Sequence, residues 1–238
     1  MNALSSVGDH LRARSRDPRR QLTALGPVAA LHAGRMPWRL SQLMVGLTLY
    51  GLSMAMLVRA TLGVLPWDVL HQGLTTIVPW SFGTVVIVTS IVVLLLWIPI
   101  RQLPGLGSLL NAVVVGIVAD LVLAVLSEPN GLAARAVLML GGILLNGIAT
   151  AMYIGSQLGP GPRDGLMTGL ARRTGVSIRV VRTSLEVAVV VVGWLLGGVV
   201  GVGTVLYAVV IGPLTQLMLP WFTVPLDPAP KTPAPTEG

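Results

Sequence analysis

Four acidic side chains, Asp68, Asp120, Asp164 and Glu186, stand within or beside long apolar stretches of the sequence. An ionisable group at membrane depth is costly and is usually kept for a proton, ion or substrate pathway. Asp68 and Asp164 occupy the same context, Pro-x-Asp at the start of a short helical segment. There a carboxylate meets free backbone N–H groups and the positive end of the helix dipole. That placement alone would account for both; if the short helices dip into the membrane, the two acids instead form a pseudo-symmetric pair near its centre. Arg179, Arg182 and Glu186 are spaced by three and four, so they share one helix face and Arg182 can pair with Glu186. Asp120 lies one turn after Gly116, a small residue that permits close helix contact, and is expected to point inward. A buried hydrogen bond to Asn111, Asn146 or Tyr153 would explain it equally well.

The segment Gly159–Gly165 (GPGPRDG) combines three glycines, Gly159, Gly161 and Gly165, with two prolines, which prevents a regular helix and exposes backbone groups. Unwound backbone at membrane depth is tolerated only where protein buries it or it lines a cavity. The segment also has a simpler reading as a cytoplasmic turn, and it lacks the trailing Gly-Lys-Ser/Thr of a phosphate loop. Candidate substrate or proton-pathway residues are therefore Asp68, Asp120, Arg163, Asp164, Arg182 and Glu186, with the three glycines as site-lining backbone.

The elements that must position these residues follow from composition. The chain has 238 residues, 53% hydrophobic and 11% charged, with a mean hydropathy of +0.81. Soluble domains carry roughly 25% charged residues, so lipid is the expected solvent. Six stretches are near the roughly 20 apolar residues a bilayer core requires: Leu40–Val58, Phe82–Ile100, Gly107–Leu126, Ala133–Ser156, Val180–Val199 and Thr204–Phe222. Pro66–Ile77 and Pro162–Arg173 are too short to span and should be re-entrant or interfacial helices. Residues 1–36 read as a disordered, Arg-rich cytoplasmic tail and residues 223–238 as a Pro-rich one; Met36 is an alternative start. With the amino terminus inside, most Lys and Arg fall on the inner side, leaving Arg59 and Arg135 outside. The +7 formal charge is thus a matter of topology rather than of nucleic-acid binding. The chain has no cysteine and three scattered histidines, which argues against a metal site. No cofactor and no enzymatic chemistry are expected, since neither HExxH nor G-x-S-x-G occurs.

Slid against itself by 96 positions, the sequence matches without a gap over most of its length: Pro66/Pro162, Asp68/Asp164, Gly46/Gly142, Gly51/Gly147, Gly63/Gly159, Gly105/Gly201 and Gly116/Gly212. Residues 37–126 and 127–222 therefore read as two copies of one unit. Three crossings per copy make them inverted repeats, an arrangement that frames the substrate site in secondary transporters. Arg182 and Glu186 align with Val86 and Ser90, so the second copy carries charge that the first lacks.

The segments GVLPWDVLHQGL (Gly63–Leu74), MYIGSQLGPGPRDGLMTGL (Met152–Leu170), VVRTSLEV (Val180–Val187) and GVGTVLYAVVIGP (Gly201–Pro213) resemble the bacterial YczE/YitT-type membrane protein family. The resemblance covers about residues 40–222. It implies a multi-spanning inner-membrane protein and names no substrate. The expectation is an all-α polytopic membrane protein, with both termini cytoplasmic, acting as a secondary transporter or exporter of a small amphipathic solute. The alternative is a non-transporting membrane scaffold acting through its basic cytoplasmic face. Expected partners are the lipid bilayer, the solute, and a second copy of the chain or another membrane protein.

Overall fold

The computed structural model describes residue 22 and residues 25–226, and every regular element among them is an α-helix. The helices are α1 (Pro27–His32), α2 (Met36–Ala60), α3 (Pro66–Thr75), α4 (Phe82–Leu95), α5 (Leu106–Val125), α6 (Leu132–Gly155), α7 (Pro162–Thr174), α8 (Ile178–Leu195) and α9 (Val202–Phe222). The start of the Arg-rich tail and the Pro-rich segment from residue 227 lie outside the described residues. The disorder expected up to Met36 does not extend over α1, which is docked: Arg39, buried at the start of α2, donates to the carbonyls of Ala30 (2.6 Å), Ser156 (2.8 Å) and Gln157 (2.7 Å).

Helices α2, α5, α6 and α9 are long and apolar enough to cross a membrane; at 1.5 Å per residue they reach roughly 30–37 Å, against a hydrocarbon core of about 30 Å. The other two expected spans are shorter as helices. Helix α4 has 14 residues and gives way to turns that run to Arg101; α8 has 18 residues and carries Arg179, Arg182 and Glu186. Local chemistry sets the ends. Pro66 and Pro162 open α3 and α7, and the Ser81 and Ser177 hydroxyls cap α4 and α8 by accepting from Thr84 N and Val180 N. The Ser108 and Thr204 hydroxyls sit inside the first turns of α5 and α9. From there they accept from the amides of Gly105 (3.2 Å) and Gly201 (3.3 Å).

The helices repeat with the spacing of the sequence. The starts Met36 and Leu132, Pro66 and Pro162, Phe82 and Ile178, and Leu106 and Val202 are each 96 positions apart. Packing repeats with them. Helices α2 and α6 lie antiparallel at the centre, with α5 against α2 and α9 against α6. Arg39 at the start of α2 bonds the chain leaving α6 at Gln157, and Arg135 in the first turn of α6 bonds Thr61 leaving α2 (2.9 Å). These two linker residues, 96 apart, share a left-handed backbone, with φ of 56° at Gln157 and 55° at Thr61.

The contact between the last two helices of each half is not repeated. Helix α4 packs along α5, yet their counterparts α8 and α9 scarcely touch. Glycine explains the first: a Cβ on Gly116 would lie 2.5 Å from the Gly83 carbonyl oxygen, and one on Gly83 would collide with that of Gly116. At Gly212, the counterpart of Gly116, an added Cβ meets nothing within 4 Å. Accordingly Gly116→Ala should lower the melting temperature of the detergent-solubilised protein. Gly212→Ala should leave it unchanged or raise it, by up to the ~1 kcal/mol of helix propensity that separates alanine from glycine.

Candidate functional site

The short helices α3 and α7 bring their N-terminal turns together inside the bundle. Each is preceded by an extended stretch that carries the chain inward, Leu62–Leu65 and Leu158–Gly161, so the break falls in the interior and the helix leads back out. Asp68 in α3 is fully buried; its Oδ1 lies 3.0 Å from His71 Nδ1 and 3.8 Å from an Arg163 guanidinium nitrogen at the start of α7. The Arg163 guanidinium also lies over the Trp67 ring, 5.4 Å from its centroid. Asp68 Oδ2 and His71 Nε2 are buried without a hydrogen-bond partner. Buried polar atoms are nearly always paired, so two unpaired ones side by side mark this spot as exceptional.

Next to this cluster, Tyr153 of α6 donates its hydroxyl to the Asp164 carboxylate. Asp164 faces a cavity of about 200 Å³ lined by α2, α4, α5, α6, α7, α8 and α9. A second, larger hollow opens between α1, the loop before α5 and the linker before α7, and Asp164 and Ile154 line both. The wall between interior cavity and outer hollow is therefore thin at these two residues. All three tyrosines of the chain, Tyr50, Tyr153 and Tyr207, line the interior cavity. Tyr207 Oη donates to Asn146 Oδ1 (2.9 Å), Asn146 Nδ2 donates to Ser53 Oγ (2.7 Å), and Tyr50 and Tyr153 meet edge to face at 6.1 Å.

The glycines of the GPGPRDG segment have separate jobs. Gly161 lines the interior cavity, whereas Gly159 lines the outer hollow with φ 124°, a conformation that favours glycine. Gly165 makes room for the Trp97 ring, with which a Cβ would collide, while Trp97 Nε1 donates to the Pro162 carbonyl (3.0 Å) and holds the first turn of α7 in place. Trp97 near the end of an apolar run carries only the signal of an interfacial anchor, so this role was hidden in the sequence. The tyrosines did carry a signal: the 96-residue offset pairs Tyr50 with Asn146 and Asn111 with Tyr207, polar against polar in apolar helices.

The structure brings Asp68, Arg163, Asp164 and Arg182 to one place. Arg182 lines the cavity from α8 and pairs with Glu186 at 2.9 Å, as the four-residue spacing requires; its side chain is 47% exposed, that of Glu186 23%. Asp120 lies elsewhere. Its oxygens accept from Ser81 Oγ (2.5 Å) and from Gly83 N (2.6 Å), so it caps α4 and ties it to α5 rather than joining Asn111, Asn146 or Tyr153. Among the described residues no three His, Asp or Glu side chains gather as metal ligands would.

This fold and site define a polytopic all-α membrane protein, with the breaks that precede its two short helices meeting beside a polar cavity. The chain belongs to the family of unknown function DUF6198, whose model matches residues 37–220. An uncharacterized protein of Haemophilus influenzae is 42% identical over 180 residues, covering 76% of this chain and 83% of that protein. The uncharacterized membrane protein YczE of Bacillus subtilis is 30% identical over 164 residues, covering 67% and 74%, which makes the family YczE-type. YyaS of the same bacterium is 27% identical over 183 residues, covering 74% and 90%. No solved structure matches the chain.

Removing one partner of a buried charge pair costs about 3–5 kcal/mol, whereas replacing both is much cheaper. Arg163→Met should therefore lower the melting temperature sharply, and Asp68→Asn in the same chain should restore most of the loss, as a thermal denaturation series in micelles would record.

Proposed function

We propose that this protein is a secondary transporter of a small amphipathic solute in the bacterial plasma membrane. In this reading residues 37–126 and 127–222 are inverted-topology repeats. The end of the bundle that carries Arg39, Arg101, Arg172 and Arg173 is cytoplasmic, and both chain termini lie on that side, in keeping with the positive-inside rule. The observation that carries the reading is the meeting of the α3 and α7 first turns, which places Asp68, Arg163 and Asp164 beside one interior cavity. Helix breaks that meet at the repeat interface are where substrate and coupling-ion sites form in such transporters.

The mechanism follows from Asp164. It lines the cavity and also the hollow toward the Arg39 end, so the Tyr153–Asp164 hydrogen bond and Ile154 form the barrier between them. Protonation of Asp164 would remove the charge to which Tyr153 donates and loosen that barrier; the Asp68–His71 pair would take or release a proton on the other arm. Transport needs two states that open the cavity to opposite sides, with solute and proton binding them unequally. No bond in the solute is made or broken in this scheme, which is one of transport without enzymatic chemistry.

The cysteine-free chain gives a direct test. A Thr150→Cys probe, which faces the cavity, should react with a membrane-impermeant maleimide in both right-side-out and inside-out vesicles. Asp164→Asn should shift the ratio of the two rates severalfold. Labelling from one side only, insensitive to Asp164→Asn, would remove the transporter reading.

A further inference from the structure

The second repeat lacks the two devices that bind the last two helices of the first. In the first repeat, Gly83 and Gly116 bring α4 and α5 into backbone contact, and Asp120 ties the start of α4 to α5 through Ser81 and Gly83 N. At the positions 96 residues on, Gly83 is replaced by Arg179 and Asp120 by Gln216. Arg179 cannot allow the approach that Gly83 does, and Gln216 carries no charge to cap α8. Gly212 is retained but faces open space. The gap that results is continuous with the interior cavity, because Arg182 of α8 and Gly212, Thr215 and Gln216 of α9 line it. Thr215 Oγ1, buried on that wall, has no hydrogen-bond partner. Exposed valines such as Val187, Val191, Val205 and Val209 lie along the same two helices, which suits a gap that opens toward lipid.

Charge decides what suits the cavity. Arg182 is matched by Glu186 and Arg163 by Asp68. Among the described residues no cation lies within ion-pair distance of Asp164, so the lining and its partners carry one unmatched negative charge. Tyr50, Tyr153 and Tyr207 line the same cavity as that carboxylate, with the Tyr153 hydroxyl donating to it, and a tyrosine ring face attracts a cation at short range. We infer that the cavity takes an organic cation, an ammonium or guanidinium head on an apolar body, which enters sideways from the bilayer between α8 and α9. The head reaches Asp164 and the tyrosine faces, and the apolar body trails through the gap past Gly212. Thr215 is positioned to bond the head as it passes. The inference rests on the transporter reading for its purpose, but binding and route are testable without flux.

The test uses the full-length protein in maltoside micelles and equilibrium dialysis against phenyltrimethylammonium, its neutral isostere tert-butylbenzene, and benzenesulfonate, each corrected with empty micelles. The cation should bind saturably at one site, at least tenfold more tightly than either comparison. Asp164→Asn should weaken it tenfold or more at an unchanged melting temperature, and Tyr207→Phe, which keeps the ring face, should weaken it by less than threefold. Equal binding of cation and neutral isostere, tighter binding of the sulfonate, or an unaltered Asp164→Asn protein would overturn the ligand class. For the route, Gly212→Trp fills the gap, and the association rate of decyltrimethylammonium should fall at least tenfold; an unchanged rate would overturn lateral entry. If Thr150→Cys is labelled from both sides while no cation binds, this inference fails and the transporter reading stands. If cations bind while labelling stays one-sided, the reverse holds.

Discussion

Two backbone hydrogen bonds, Gly203 N to Leu62 O and Gly107 N to Leu158 O, each 2.8 Å, hold the arrangement together. A chain that unwinds at membrane depth frees N–H and carbonyl groups with no water to take them, so protein must satisfy them. Here the carbonyl freed where one half unwinds is taken by the first turn of the last helix of the other half. Neither half can form its interior break alone. The clasp explains why Gly63 and Gly159, Gly105 and Gly201 recur at one offset: each sits where two backbones touch. It also explains why the first turns of α3 and α7 end up face to face, since each linker is anchored to the opposite half before its helix begins.

Symmetry builds the frame, and its failure leaves one flank of the cavity open. A fully symmetric bundle would be sealed on both flanks, by α4 on α5 and by α8 on α9. The substitutions that spoil the second seal, Arg179 for Gly83 and Gln216 for Asp120, lie on the same two helices as Arg182, Gly212 and Thr215 of the cavity wall. Charge follows the same division. Asp120 serves the closed flank as a helix cap, while Arg182 and Glu186 stand on the open one.

Much of the fold was legible because its signals are long-range and redundant. Apolar runs near span length, the prolines that open α3 and α7, and the 96-residue recurrence of Gly, Pro and Asp each point to the same elements. The starts of the short helices fell on Pro66 and Pro162 because proline suits the first turn and not the interior. The site was legible in part. Asp68, Arg163, Asp164 and Arg182 converge, but Asp120 does not, since helical spacing gives a face without saying which neighbour it meets. Trp97, Thr215 and the three tyrosines were missed as site residues for a related reason. The offset that pairs Tyr50 with Asn146 and Asn111 with Tyr207 marks polar positions without saying what they meet, and Tyr153 and Thr215 look like packing until their partners across the bundle are known. The early end of α4, which stops at Leu95 and runs into turns, was likewise invisible in an uninterrupted apolar run.

The central claim is that equivalent elements of the two halves face opposite sides of the membrane, with their breaks meeting between. Ile77 and Arg173 are equivalent, both exposed, and lie at the outer ends of the two short helical segments. The single variants Ile77→Cys and Arg173→Cys, probed with an impermeant maleimide in oriented vesicles, test it most directly. The Arg173→Cys thiol should be blocked only from the cytoplasmic face and the Ile77→Cys thiol only from the opposite one. Labelling of both from the same face would contradict the account.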